Sequence, residues 1–213
     1  MTDRKKASDF PQTILKLFDG YVHGHIERRD FLSGAGKVLG GGAAALAVLE
    51  ALQPEYAWAQ HVAEDDASIR QEYVEYPSPN GSGTMRGYLA VPAGATGPLP
   101  AVLVIHENRG LNPYIEDVVR RFAAANFVAL GPDALTPLGG YPGTDDEGRV
   151  LQRQLDRDVM MEDWVAAFEF LKGHEATTDR VGAVGFCYGG GVVNELAVRR
   201  PDLGAGAPFY GSG

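Results

Sequence analysis

Cysteine is nearly absent from this chain. Cys187 is the only one in 213 residues, which excludes an intrachain disulfide. Positive charge is also scarce: 19 Lys and Arg stand against 28 Asp and Glu, a formal net charge of −9. Such a surplus repels phosphate backbones and argues against nucleic acid as a partner. No uninterrupted apolar run reaches the roughly 20 residues of a membrane span. No metal or cofactor motif is visible, and no internal repeat, so no cofactor is expected. What is present is an ordinary globular composition, 45% hydrophobic and 22% charged, with 28 Gly and 13 Pro that follow no collagen period. The length suits one domain of ordinary size.

Charge is unevenly placed. Residues 1–59 hold seven basic and seven acidic side chains, so the whole net charge lies after position 59. The first piece carries Arg28-Arg29-Asp30-Phe31-Leu32, then a stretch from Val38 to Leu52 rich in Ala, Gly, Leu and Val. Ala57-Trp58-Ala59 follows, a small-x-small pattern before Gln60. Basic pair, apolar region and cleavage-type site stand in the order an export signal requires, and the segment resembles a twin-arginine signal. The apolar region is interrupted by Gly40 to Gly42 and by Glu50, so no stable membrane span is expected after cleavage. This reading divides the chain into a leader, 1–59, and a domain, 60–213, that is exported to an extracytoplasmic compartment. The competing reading is an amphipathic helical segment that stays on the protein. His23 and His25, in the long stretch before the hydrophobic region, receive no function.

The second piece reads as an α/β domain. Residues 69–76 and 84–91 are strand-like runs around a Pro/Gly/Ser/Asn cluster, the pattern of an antiparallel hairpin. Residues 101–105, 127–130 and 181–185 are short continuous apolar runs, as strands buried on both faces require. Asn112-Pro113 opens a helix, with Ile115, Val118, Val119 and Phe122 on one face. Apolar spacing from Leu151 through Leu155, Val159, Trp164 and Phe168 to Leu171 predicts one long amphipathic helix after a polar loop that ends near 148. A further helix spans 189–200, and 206–210 reads as another strand. Strands alternating with helices predict a mainly parallel sheet covered on both faces.

The chemistry converges on Gly185-Phe186-Cys187-Tyr188-Gly189, a Gly-x-nucleophile-x-Gly pattern between a buried strand and a helix. A tight strand-to-helix turn brings backbones close, so side chains two residues either side of the nucleophile would clash. The turn places Cys187 at a helix N-terminus, where the dipole favours thiolate over thiol. The backbone N–H of Tyr188 is there to meet an incipient oxyanion. The bland alternative is a buried cysteine in a Gly-rich packing turn. Gly185, Gly189, Gly190 and Gly191 do not fit the G-x-G-x-x-G phosphate pattern. The second region of interest is His106-Glu107-Asn108-Arg109-Gly110, directly after a buried strand. Ligands of open parallel sheets bind beyond the carboxyl ends of strands, so this loop and Cys187 are expected to face one crevice.

These motifs, with Leu111 after the loop, Leu130-Gly131-Pro132-Asp133 and Gly190, resemble the dienelactone hydrolase family over roughly residues 69–213. The resemblance implies an α/β-hydrolase fold, here its front two-thirds. It also implies a hydrolase of ester or lactone bonds of the carboxymethylenebutenolidase type that uses a Cys-Asp-His triad on a small-molecule substrate. By resemblance, Cys187 is the nucleophile, Glu107 contacts its thiol and helps switch it on, and the N–H of Asn108 joins that of Tyr188 in the oxyanion hole. Arg109 either binds a substrate carboxylate or pairs with a loop acid. His106 is expected to be structural.

Two features depart from the family pattern. Pro132-Asp133 is followed by Ala134-Leu135-Thr136-Pro137, with no arginine to hold a substrate carboxylate, which puts an anionic dienelactone in doubt. After Cys187 the only acids are Glu195 and Asp202, and there is no histidine. His61 and His174 are badly placed for a base, so the triad acid and histidine are expected beyond residue 213 and the chain alone is expected to be nearly inactive. The alternative is a non-catalytic remnant or binding module of the same fold. Oligomeric state is not readable from the sequence.

Overall fold

A computed structural model describes residues 6–53 and 60–211. The chain divides into two compact units, Met1–Glu55 and Tyr56–Gly213. Among its described residues the first holds a short 3-10 helix (Ala7–Asp9) and three α-helices: α1 (Gln12–Val22), α2 (Arg28–Leu39) and α3 (Gly42–Leu52). The Asp30 carboxylate accepts the Glu27 N–H at 3.2 Å at the start of α2, and Gly40, at φ 81°, ends it in the left-handed region that glycine tolerates. Ile14, Tyr21, Phe31, Ala35, Ala45 and Leu49 form a small buried core. Phe31 of the twin-arginine-like motif is thus wholly buried, while Arg28 and Arg29 are exposed. No single described helix is long and apolar enough to cross a membrane; α2 and α3 pass that test only as a pair bent by 115°. The Ala57-Trp58-Ala59 pattern lies outside the described residues.

The second unit is built on a six-stranded sheet: β1 (Ile69–Ser78), β2 (Gly83–Pro92), β3 (Leu99–Ile105), β4 (Val128–Pro132), β5 (Thr177–Phe186) and β6 (Ala205–Phe209). Their order is β1-β2-β4-β3-β5-β6. The β1–β2 hairpin is antiparallel and joins antiparallel to β4; β4, β3, β5 and β6 run parallel. This is the mainly parallel α/β sheet that the sequence predicts. The helix α4 (Pro113–Ala124), capped by Asn112 accepting the Ile115 N–H at 3.0 Å, covers one face through Ile115, Val118, Val119 and Ala123. On the other face lie α6 (Arg157–Gly173) and α7 (Tyr188–Arg199), with Met160, Trp164, Phe168, Val192 and Leu196 against Leu103, Ile105 and Leu130.

The single long helix expected through 151–171 is instead two. The first, α5, spans Asp145–Gln152, and α6 begins only at Arg157. Asp156 stays extended and its carboxylate accepts the N–H groups of Asp158 at 2.8 Å and Val159 at 3.2 Å, which starts a new helix there. The polar loop also ends earlier than expected. Thr144 caps α5, accepting the Glu147 N–H at 3.4 Å while its hydroxyl donates to the Glu147 carboxylate at 2.8 Å. Thr-x-x-Glu is the sequence pattern of a capping box, but here the Glu147 carboxylate takes the Thr144 hydroxyl as its partner.

Buried polar groups lock the periphery to this frame. From α6, Asp163 accepts Ser78 Oγ at 2.6 Å, the Ser82 N–H at 2.8 Å and Ser82 Oγ at 2.7 Å, and so fixes the tip of the β1–β2 hairpin. From α4, Asp117 accepts the N–H groups of His61 and Val62, each at 2.9 Å, while Arg120 donates to the Val62 carbonyl at 2.9 Å and to the Tyr88 hydroxyl at 3.2 Å. At the far side of the sheet all five residues of β6 are exposed. An open apolar groove of about 790 Å³ runs beside β6, lined by residues that include Val102, Phe122, Phe127, Val184, Ala207 and Phe209.

Candidate active site

The parallel pairing of β3 with β5 sets Ile105 opposite Gly185. Both strands end there, so the loop that begins at His106 and the turn that holds Cys187 emerge side by side. Cys187 has φ 53° and ψ −115°, a backbone region that L-residues rarely enter and that costs of order 1–3 kcal/mol. Its N–H donates to the Phe209 carbonyl at 3.0 Å, and its carbonyl accepts the Gly190 N–H at 3.0 Å as α7 begins. The flanking glycines are sterically required. A Cβ on Gly185 would overlap the carbonyl of Gly189; one on Gly189 would overlap the Ile105 carbonyl and stand 2.7 Å from that of His106. A Cβ on Gly190 would lie 2.8 Å from the Phe209 carbonyl. Tyr188 is the first residue of α7, and the N–H groups of a first turn have no carbonyl partner within their own helix. The Tyr188 hydroxyl accepts Trp164 Nε1 at 3.2 Å, which ties the start of α7 to α6.

A cysteine at positive φ in a strand-to-helix turn with glycines on both sides has the backbone geometry of the nucleophile elbow that α/β-hydrolases carry. Residues 85–213, more than half the chain, match the model of the dienelactone hydrolase family. The chain belongs to the dienelactone hydrolase family. It is 59% identical over 112 residues to the "Putative hydrolase fragment YghX" of Escherichia coli (strain K12), covering 53% of this chain and 96% of that one. It is 33% identical over 141 residues to the "Putative carboxymethylenebutenolidase" of Methylorubrum extorquens, covering 64% of this chain and 48% of the relative. Among solved structures, a dienelactone hydrolase-like promiscuous phosphotriesterase from metagenomic libraries matches with a TM-score of 0.57 at 27% identity, covering 68% of this chain and 60% of that one. Apart from the fragment, the chain spans about half the length of the curated relatives it matches. Residues 1–39 match a separate model described as YqhI-like.

Within this family framework the first loop divides into sealed and open groups. His106 is fully buried. Its Nδ1 faces the Glu107 carbonyl at 2.5 Å, its Nε2 accepts the Ala134 N–H at 3.2 Å, and its ring stands edge-on to Trp164. Burial holds its pKa below the ordinary 6.5, only partly opposed by Asp133, so the imidazole is neutral with both nitrogens occupied. It is structural, as expected. Arg109 pairs with Asp145 on α5 at 2.9 Å, both side chains being less than one-fifth exposed. Asp145 also accepts the Tyr141 hydroxyl at 2.9 Å and Asn112 Nδ2 at 3.3 Å. Arg109 thus pairs with an acid, one of its two expectations, although that acid is the first residue of α5 rather than a loop residue. Asp133 organises the rest, accepting the N–H groups of Leu135 at 3.0 Å, Tyr141 at 2.8 Å and Leu111 at 3.4 Å.

The open groups are Glu107 and Asn108. Glu107 Oε2 and Asn108 Oδ1 are buried and accept no hydrogen bond from any described residue. Burial raises the Glu107 carboxyl above its ordinary value of 4.5; Arg109 opposes the rise and Asp145 adds to it. A carboxyl with a raised folded-state value holds its proton more tightly when folded. Stability therefore falls as pH rises from about 4.5 through the raised value, and the loss persists at neutral pH. Glu107→Gln is expected to raise the urea midpoint at pH 7.5 and leave it nearly unchanged at pH 4. A variant no more stable than its parent at pH 7.5 contradicts this electrostatic reading.

The family's remaining catalytic groups find no counterpart in the described residues. Glu195 pairs with Arg199 at 2.8 Å, and Asp202 is held by Lys172 at 2.5 Å and Arg200 at 2.9 Å. His174 precedes β5, a strand length of about 30 Å from Cys187. The N–H of His61 is bound to Asp117 on α4. One partner of the loop escapes sequence reasoning. Asp145 lies 36 positions from Arg109, with only the capping box as a signal. Tyr210, directly after β6, has its hydroxyl pushed up by partial burial and, to a lesser degree, by Glu107 and Cys187.

Proposed function

We propose that this chain carries the nucleophile of an ester or lactone hydrolase, with Cys187 attacking the acyl carbonyl. The observation that supports this best is the positive φ of Cys187 in a turn that only glycines at 185 and 189 fit. In this mechanism the Cys187 thiolate adds to the carbonyl carbon. The oxyanion forms between the N–H groups of Asn108 and Tyr188, and the C–O bond breaks to leave a thioester on Cys187. The departing alkoxide takes up a proton, and water hydrolyses the thioester. Glu107 draws the proton from the thiol when substrate binds. The triad acid and histidine that complete the cycle are expected from sequence beyond residue 213. Relatives named as a carboxymethylenebutenolidase and as a 2-oxo-3-(5-oxofuran-2-ylidene)propanoate lactonase favour lactones among the possible esters. Alkylation of Cys187 by iodoacetamide is expected to be faster in the folded chain than in urea. A folded rate equal to or below the unfolded one supports a structural cysteine instead.

We further propose that residues 1–59 direct twin-arginine export with cleavage after Ala59. The order of Arg28-Arg29, the apolar helix α3 and the Ala57-x-Ala59 pattern supports it. Replacing both arginines with lysine is expected to abolish export and cleavage. Exported protein that still begins at Met1, or export unaffected by the double substitution, overturns the proposal.

A further inference from the structure

A buried carboxylate on α4 holds the first described residues of the second unit. Asp117 is 1% exposed, and its Oδ1 accepts the N–H groups of both His61 and Val62, each at 2.9 Å. The Val62 side chain packs against the core that includes Tyr88, Ala90 and Ile115. Arg120, also buried, stands 3.7 Å from the same Oδ1. Its Nε donates to the Val62 carbonyl at 2.9 Å and its Nη1 to the Tyr88 hydroxyl at 3.2 Å. The other carboxylate oxygen, Oδ2, is buried and accepts no hydrogen bond from any described residue.

A buried carboxylate oxygen without a donor costs free energy, and each such group in a native protein calls for an explanation. Successive backbone N–H groups converge on this carboxylate in the manner of an anion nest, and the nitrogen of Gln60 is the next in line. One residue of chain spans at most about 3.6 Å, so that nitrogen stands close to the carboxylate. The Gln60 side chain is turned elsewhere, its Nε2 donating to the Val62 carbonyl at 3.3 Å. As a peptide nitrogen, Gln60 N offers one uncharged donor. As a chain terminus it is an ammonium with three donors and a positive charge, and it can turn toward Oδ2.

We infer that Asp117 Oδ2 is the binding site for the protein's own mature N-terminus. Water, in a processing peptidase, hydrolyses the Ala59–Gln60 peptide bond. A carboxylate is left on Ala59 and an ammonium on Gln60, and that ammonium docks on Oδ2. This rests on cleavage after Ala59. Processing thereby stabilises the second unit, because only the cut chain gives the buried oxygen a charged donor.

The test cuts the folded full chain in place. Glu55→Asp, Tyr56→Asp, Ala57→Asp, Trp58→Asp and Ala59→Lys create an enterokinase site cut directly before Gln60. Pro54→Asp, Glu55→Asp, Tyr56→Asp, Ala57→Asp and Trp58→Lys move the cut one residue earlier, before Ala59. The two cut products differ by that one residue, and intact mass verifies each end. Trp164, buried in the second unit, is the sole tryptophan left in both, so its fluorescence reports urea unfolding of that unit. At a common urea concentration the form that starts at Gln60 is expected to have an unfolding constant at least about tenfold smaller, the scale of a hydrogen bond to a charged group. Asp117→Asn should erase the difference. Cyclisation of the Gln60 terminus should erase it with no substitution, since the amine attacks its own side-chain amide, ammonia leaves and the positive charge is lost. Equal stability of the two cut forms overturns the inference, as does a difference that survives cyclisation or Asp117→Asn. The engineered cuts create the Gln60 ammonium whether or not the leader is an export signal, so the two failures are distinguishable. Exported protein whose first residue is not Gln60 removes the cleavage reading, and this inference falls with it.

Discussion

On a simple aryl ester, the 213-residue chain is expected to turn over at least about 10³-fold more slowly than a form extended by a family-type C-terminal segment. In a serine protease, removing the triad costs about 10⁶-fold, and binding with oxyanion donors alone retains only 10³–10⁴-fold over water. The elbow and its N–H groups are present, but no described histidine is free to act as base beside Cys187. His106 has both ring nitrogens occupied, and His174 stands at the opposite end of β5. Glu195 and Asp202, the acids after the nucleophile, are bound to arginine and lysine partners. The same extension is expected to improve solubility, because β6 is exposed along its length and the groove beside it is apolar. Cys187→Ala should abolish activity in the extended form. Full turnover by the unextended chain, lost in Cys187→Ala, would reveal a base within these residues.

The largest stability effects should come from the elbow glycines. Gly185→Ala and Gly189→Ala each drive a methyl group into backbone carbonyls: Gly189's own in the first case, those of Ile105 and His106 in the second. Flexible side chains can move aside, but these atoms belong to paired strands and a helix start. A loss of about 3 kcal/mol or more is expected for each, at the upper end of overpacking costs. For a unit of this size that corresponds to a fall in Tm of roughly 6–12 °C. Gly94→Ala and Gly97→Ala, where a Cβ meets nothing within 4 Å, serve as controls and should change stability by under about 1 kcal/mol. Urea unfolding of the four variants separates the cases. Elbow variants as stable as the controls would contradict the tight turn.

The elbow was legible because its constraint is local. Spacing of glycines about Cys187, a buried apolar run before it and a helical pattern after it lie within some 20 residues. The sheet was legible for the same reason, since runs such as 101–105 and 181–185 declare burial on both faces. The helix break at 153–156 was hidden because Leu151, Leu155 and Val159 keep helical spacing across it, and only Asp156 signals a restart. Partners distant in sequence were not readable. That Arg109 meets Asp145, or that Ala134 seals His106, depends on loops that the sheet brings together. In residues 1–59, Phe31 fits both a twin-arginine-like motif and a small helical core, so composition alone does not separate export signal from packed segment.

The most direct test of Cys187 as nucleophile is the fate of an activated aryl acetate mixed with the chain. A thiolate in the elbow can expel a good leaving group unaided, whereas hydrolysis of the resulting thioester needs a base. One acetyl group per chain is therefore expected to accumulate on the peptide that contains Cys187, faster than in urea-unfolded protein, and to be absent from Cys187→Ala. A chain whose thiol titrates normally yet takes no acetyl group at Cys187, or takes it no faster folded than unfolded, contradicts a nucleophilic role.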